Sequence, residues 1–216
     1  ELAWAVDIVP DGRTATSVTP TAPNVADVRN SGPILGHGNA VNSFNRFNVG
    51  NGQTANLHVP DGAAALINLV RDQKTTIDGM LNAIKEGRIG GKVYFANPHG
   101  VVVGPSGKVN VGSLHVSTPS QRFVDDFFDA PGGAEASAAA LVEGRAPRNT
   151  AAEIRIDGEV NATEQVSLSA GSITVGGKVL SGAKFAGGAP DFSDVVNVHG
   201  LATGGAVVEN QGRIEI

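Results

Sequence analysis

A glycine-centred repeat constrains this chain more than any other feature. Ile154-x-Ile156-x-Gly158-x-Val160 is echoed by Ile173-x-Val175-x-Gly177-x-Val179, then by Val196-x-Val198-x-Gly200 and by Asn210-x-Gly212-x-Ile214-x-Ile216. Gly158, Gly177 and Gly200 stand 19 and 23 residues apart. Alternating β-branched residues that end in glycine describe short strands closed by turns. Repeated every ~20 residues, such units stack as coils around a narrow column of Val, Ile and Leu, because no single unit buries its apolar face alone. Gly107, flanked by Val103 and Val109, lies 51 residues before Gly158; removing the 32 residues 120–151 leaves 19. The repeat therefore predicts one all-β solenoid with an insertion inside it.

The stretch Val93–Thr118 shows the same grammar at higher density. Val93-Tyr94-Phe95, Val101-Val102-Val103 and Val109 with Val111 are three β runs. Asn97-Pro98-His99-Gly100 and Gly104-Pro105-Ser106-Gly107 are the turns between them. Asn97 suits an Asx-turn, Pro98 presets φ, and Gly100 allows the positive φ at which the chain reverses. Upstream, Val6-Asp7-Ile8-Val9 is an alternating strand ended by Pro10-Asp11-Gly12, followed by Thr-rich 13–19 and a weaker strand over 24–29. Strands of this kind are expected to cap one end of the solenoid, where an open edge would invite pairing with another chain. In Asn42-Ser43-Phe44-Asn45-Arg46-Phe47-Asn48-Val49, strict alternation puts Phe44, Arg46 and Asn48 on one face and Asn45, Phe47 and Val49 on the other. Nothing local requires an amide at Asn48.

Two segments interrupt the pattern. Ile77, Met80, Leu81 and Ile84 fall at the spacing of an amphipathic helix, but Gly79 lies inside the pattern and weakens it, so helix and strand both stand. Over 120–151, Phe123, Val124, Phe127 and Phe128 predict a short amphipathic helix with Ser120 as N-cap, followed by an Ala-rich segment helical over 135–142. The expected organisation is a cap with first coils over 1–119, an extra-helical insertion over 120–151 and further coils over 152–216. All belong to one structural domain. The chain ends on Arg213-Ile214-Glu215-Ile216 with no polar cap, which predicts more coils in the natural protein.

These motifs together resemble a known family. The Asn-Pro-x-Gly turn before a Val-rich strand and Val-Asn-Val-Gly-Ser-Leu, with the Asn-rich Phe-x-Val block at 42–49 and Asn56-Leu57-His58-Val59-Pro60, is similar to the secretion domain of two-partner-secretion exoproteins. Those are the filamentous-haemagglutinin-like adhesins, and the nearest look is to large leukotoxin-like filamentous adhesins of biofilms. His99 stands where many relatives carry a second Asn. The resemblance implies a right-handed parallel β-helix, with strand preferred to helix over 77–86, and a role as secretion signal and folding nucleus. The implied partner is an outer-membrane TpsB-type β-barrel transporter, which binds through its periplasmic POTRA domains. The implied recognition residues are Asn42, Phe44, Asn45, Asn48, Asn97, Pro98, His99 and Gly100. The protein would be secreted or held at the cell surface as a monomer, with extracellular polysaccharide as a ligand of the full-length chain.

Composition and charge weigh against other classes. A net charge of −5 speaks against nucleic acid or an anionic membrane as partner. The absence of Cys excludes disulfides and thiol chemistry, and suits a chain that must stay threadable through an oxidising periplasm. No signal peptide is visible, so Glu1 is read as near a mature or cloned N-terminus. His37, His58, His99, His115 and His199 lack metal-ligand spacing, and no Gly-x-Ser-x-Gly elbow is present, so neither a metal, a cofactor nor an enzymatic role is expected. Two rivals remain: a β-helix polysaccharide lyase, and a carbohydrate-binding module. Asp157, Glu159, Glu164, Arg155 and Lys178 are too scattered for the former, while Trp4 and Tyr94 are the only Trp and Tyr for the latter. Asp125, Asp126 and Asp129 are read as a solvated helix face.

Overall fold

The computed structural model describes residues 6–182 and the short strands 184–186, 189–191, 206–207 and 213–215. The Val196–Gly200 echo of the repeat, Trp4 and His199 lie outside the described residues. β1 (Asp7–Pro10), β2 (Thr16–Ala22) and β3 (Val25–Asn30) precede the coils. Coil 1 is β4 (Asn39–Val49) and β5 (Thr54–His58); coil 2 is β6 (Ala65–Val70), β7 (Thr75–Ile77) and β8 (Met80–Lys85), with a small hairpin strand β9 (Arg88–Ile89). Coil 3 is β10 (Lys92–Ala96), β11 (Val101–Val103) and β12 (Lys108–Val111). Coil 4 opens with β13 (Ser113–Ser117), leaves the prism through α1 (Gln121–Asp125) and α2 (Gly133–Val142), and returns in β14 (Glu153–Ile156) and β15 (Glu159–Ala162). Coil 5 is β16 (Val166–Ser169), β17 (Ser172–Val175) and β18 (Lys178–Leu180).

Parallel pairing of successive coils makes three faces. The first stacks β4-β6-β10-β13-β16, the second β4-β7-β11-β14-β17, and the third β3-β5-β8-β12-β15-β18. The result is a parallel β-helix, the fold class that the repeat predicts. Its interior is a column of apolar residues from Val28 and Ala40 to Val175 and Val179. β2 and β3 form an antiparallel hairpin that continues the third face, and β1 pairs antiparallel with β4, so the first coil's edge is covered by the chain's own N-terminal strands.

The glycines at the end of the second face show why the repeat is strict where it is. Glu159 N–H donates to the Gly107 carbonyl (2.9 Å) and Lys178 N–H to the Gly158 carbonyl (2.8 Å), so the three glycines stack in register. A Cβ at Gly158 would lie against the Gly107 carbonyl, and one at Gly177 against the Gly158 carbonyl. Only hydrogen fits between coils at that corner.

Two expectations are corrected. The short repeat does not run through the whole chain: Thr54 pairs with Met80 and Met80 with Lys108, steps of 26 and 28 residues. The extra residues sit at corners, such as the Pro60–Ala63 turn and the β8–β9 hairpin, where a solvent-facing loop lengthens without shifting face register. Nor does the last echo of the repeat add a parallel coil: 213–215 pairs antiparallel with β16, and 206–207 antiparallel with β17. The ambiguous 77–86 segment is extended. Gly79 admits no side chain because the Gly50 and Gln53 carbonyls lie against it, which explains the glycine that broke the helical pattern.

The helices lie against the outer surface of the first face. Phe127, Val124, Ala138 and Leu141 pack there on Val41, Ile67, Leu69, Tyr94 and Ala96, so that face is buried on both sides. Ser120 caps α1 by accepting the Phe123 N–H at 3.3 Å.

Candidate functional site: one corner of the prism

The two motif segments, far apart in sequence, meet at the corner between the first and second faces. In coil 1 the corner is β4 itself, which passes through without a turn. Pairing with β1 shifts register between Val9 and Pro10, so Asn45 is bulged out opposite the strand. The bulge overturns the strict alternation expected for 44–49. Phe44 and Phe47 both point inward, with ring centroids 5.2 Å apart, and Phe47 meets Phe95 of coil 3 at 5.1 Å. Asn45, Arg46 and Asn48 are left on the outside.

Coil 2 docks below: Arg71 N–H donates to the Phe44 carbonyl (3.0 Å) and Asp72 N–H to the Asn45 carbonyl (3.1 Å). Coil 3 supplies Asn97-Pro98-His99-Gly100. Asn97 Oδ1 accepts the His99 N–H at 2.9 Å, the Asx-turn its sequence predicts. Its Nδ2 donates upward to the Gln73 carbonyl (2.9 Å) and Thr75 Oγ1 (3.0 Å). His99 Nε2 lies 2.8 Å from the Arg71 carbonyl, so the ring nitrogen donates there. Gly100 adopts φ of +100°, and a Cβ on it would collide with the Glu153 carbonyl of coil 4. Asn149, where the insertion rejoins coil 4, donates to the Pro98 carbonyl at 2.7 Å. A continuous hydrogen-bonded edge thus runs from Asn45 to Asn149.

Burial divides the eight residues sharply. Asn42, Phe44 and Asn97 are wholly buried, and Pro98 and Gly100 are buried with them. Asn45 and Asn48 are half-buried, and only His99 is exposed. Asn42 points into the prism, donating to Asn68 Oδ1 (3.0 Å) and accepting from Thr16 Oγ1 (2.8 Å) and Asn30 Nδ2 (3.1 Å). The partners of Asn48 come from distant segments: its Oδ1 accepts the Thr76 N–H at 2.9 Å, and its Nδ2 donates to Asp7 at 2.9 Å.

Charged residues that sequence reasoning passed over tie this corner to the insertion. Arg13 donates to the Val124 and Asp125 carbonyls at the end of α1 (3.0 and 3.1 Å), donates to Ser43 Oγ (2.9 Å), and sits over the Phe128 ring. Arg71 donates to Asp125 Oδ1 at 3.1 and 3.2 Å. Asp125 is therefore an ion-pair partner and not a purely solvated residue. Ser43 Oγ donates to Asp11 at 2.6 Å. Burial alone would raise the Asp11 pKa, but hydrogen bonds from Ser43 and from the backbone and guanidinium of Arg13 hold it below its ordinary value of 3.8. These ties carry no sequence signal, because Arg13 and Val124, Arg71 and Asp125, and Asn149 and Pro98 lie 111, 54 and 51 residues apart.

The residues weighed for other chemistry are engaged elsewhere. Glu159 lies between Lys108 (3.6 Å) and Lys178 (3.7 Å) in a charge column, Arg155 pairs with Asp157 (2.7 Å), and Glu164 accepts from Ser113 (2.7 Å). Tyr94 is stacked on His115 at 4.4 Å and is only 7% exposed, so it presents no aromatic platform.

A family model for the TPS secretion domain matches residues 6–216. The chain belongs to that family, the secretion domain of two-partner-secretion exoproteins. Membership implies export across the outer membrane with a TpsB transporter as partner. A search among curated proteins returns no match.

Proposed function

We propose that this domain is the address and the folding seed of a large secreted adhesin. The periplasmic POTRA domains of its cognate outer-membrane transporter read Asn42, Phe44, Asn45, Asn48, Asn97, Pro98, His99 and Gly100 before the chain folds. The observation that supports this reading is the burial of those residues: five of the eight are closed off in the folded prism. A partner that contacts the whole set must meet it in extended form. An extended Asn- and Val-rich segment suits strand addition to a sheet edge, with main-chain bonds giving affinity.

Outside the cell the same residues close the corner and start the coils. Apolar burial at about 25 cal/mol per Å2 releases several kcal/mol per coil before the entropy cost, a source of direction where no ATP is at hand. The full-length protein would act as a monomer and engage extracellular polysaccharide beyond this domain. The test is a secretion assay on the double substitution Asn45→Ala with Asn48→Ala, which leaves the core untouched. Secretion should fall at least tenfold while the refolded domain keeps most of its urea stability. Secretion that tracks stability alone would refute a direct reading.

A further inference from the structure

An amide ladder runs down the outer side of the third face, one Asn per coil. Asn161 Nδ2 donates to Asn110 Oδ1 (3.0 Å), Asn110 to Asn82 (2.9 Å), Asn82 to Asn56 (3.1 Å), and Asn56 to Asp27 Oδ1 (3.1 Å). The strand registers Asp27–Asn56, Asn56–Asn82, Asn82–Asn110 and Asn110–Asn161 place all five in one row. Every bond points the same way, from the later coil to the earlier one. Asn110 and Asn161 are 4% and 1% exposed, so an amide turned the wrong way there would leave buried groups unsatisfied.

Stacking does not by itself dictate that direction. On the first face, Asn42 of coil 1 donates to Asn68 of coil 2, the opposite polarity. The difference lies in what the cap hairpin offers. At Asn42 it offers donors, Thr16 Oγ1 and Asn30 Nδ2, which claim Oδ1 and turn Nδ2 toward coil 2. At Asn56 it offers a carboxylate, which has acceptors alone. Asn56 must then turn Nδ2 up to Asp27 and Oδ1 down to Asn82, and each amide below repeats the choice.

We propose that Asp27 is a positioning residue that sets the polarity of the whole ladder, so that each later coil brings a donor to an acceptor already oriented by the coil before it. The cap hairpin thereby does more than cover an edge: it dictates register and direction through four coils, about 19 Å at the usual strand spacing. The ladder ends where coil 5 places Leu180 opposite Asn161, a side chain with no donor. Arg29 donates to Asp27 at 3.0 Å and His58 lies 3.0 Å from it. Desolvation opposes ionisation of Asp27, yet Asn56, His58 and Arg29 together keep it below the ordinary carboxylate value, so it stays an acceptor. The inference concerns the folded chain and holds whatever partner exports it.

Side-chain amide exchange, followed by 15N NMR on the whole chain, tests it. Asp27→Asn keeps the shape but removes the enforced acceptor. Exchange at the side chains of Asn110 and Asn161 should quicken at least tenfold relative to the backbone amides of Val109 and Val160. A change confined to Asn56 would overturn the proposal and leave Asp27 a local ion-pair partner. Should Asp27→Asn not fold, Asn82→Asp decides. An acid at 82 accepts from Asn110 but cannot donate to Asn56, so Asn110 and Asn161 should stay protected. Loss of protection at both would contradict the polarity.

Discussion

The strand through Asn42–Asn48 and the turn at Asn97–Gly100 occupy the same corner, yet they are held in different ways. The turn closes on itself: Asn97 forms its own Asx-turn besides reaching one coil up, and Gly100 supplies the positive φ with which the chain rounds the corner. The strand has no turn of its own. Its bulge and its amides are held from outside, by β1, by the cap hairpin and by the next coil. A turn carries its geometry in its sequence, whereas a bulged strand borrows it from neighbours. That difference teaches which positions fail alone and which fail together.

The sharpest way to break the turn is Gly100→Val. Positive φ and a collision with the Glu153 carbonyl together should cost roughly 4 kcal/mol, read as a lower urea midpoint. An unchanged midpoint would show that the turn does not need the conformation assigned to it. Asn97→Ala comes next. It removes three hydrogen bonds from a buried site, and the unpaired Gln73 carbonyl and Thr75 hydroxyl should lower stability by roughly 2–3 kcal/mol.

Asn48→Ala should cost less, about 1 kcal/mol, because the freed Thr76 N–H sits at a half-buried site that water reaches. A loss equal to that of Asn97→Ala would erase the distinction between the two segments. The smallest effect is on pH. The folded pKa of Asp11 is depressed, so its contribution is complete above its unfolded value near 3.8 and is lost as pH falls through the folded value. Urea midpoints at pH 5 and pH 3 should therefore differ less in Asp11→Asn than in the unaltered domain.

Much of the architecture was legible because periodicity carries it. Alternating Val and Ile with glycine at 107, 158 and 177 specify both the coil and the close approach between coils. Gly79 weakened the helical reading of 77–86 without deciding it, because the carbonyls packed against it come from Gly50 and Gln53 of the preceding coil. The Asn97 turn was legible since the bonds that close it, from the His99 and Gly100 N–H groups, lie within three residues. What stayed hidden is what distant coils supply. The bulge at Asn45 depends on pairing with β1, the partner of Asn48 is a backbone N–H 28 residues on, and Arg71 meets Asp125 only because the insertion folds back over the first face. Corner lengths were equally hidden, since loops at solvent-facing corners vary without leaving a mark on the faces.

The central claim is that the motif residues are signal when the chain is extended and scaffold once it is folded. The most direct measurement compares binding of the isolated POTRA domains to the natively folded domain and to the same chain held unfolded by Val160→Asp together with Leu168→Asp, two core residues outside the motif set. This account predicts that the unfolded chain binds at least tenfold more tightly, and that restoring Val160 and Leu168 abolishes the advantage. Equal or tighter binding to the folded domain would contradict it, because five of the eight proposed contact residues are closed off there.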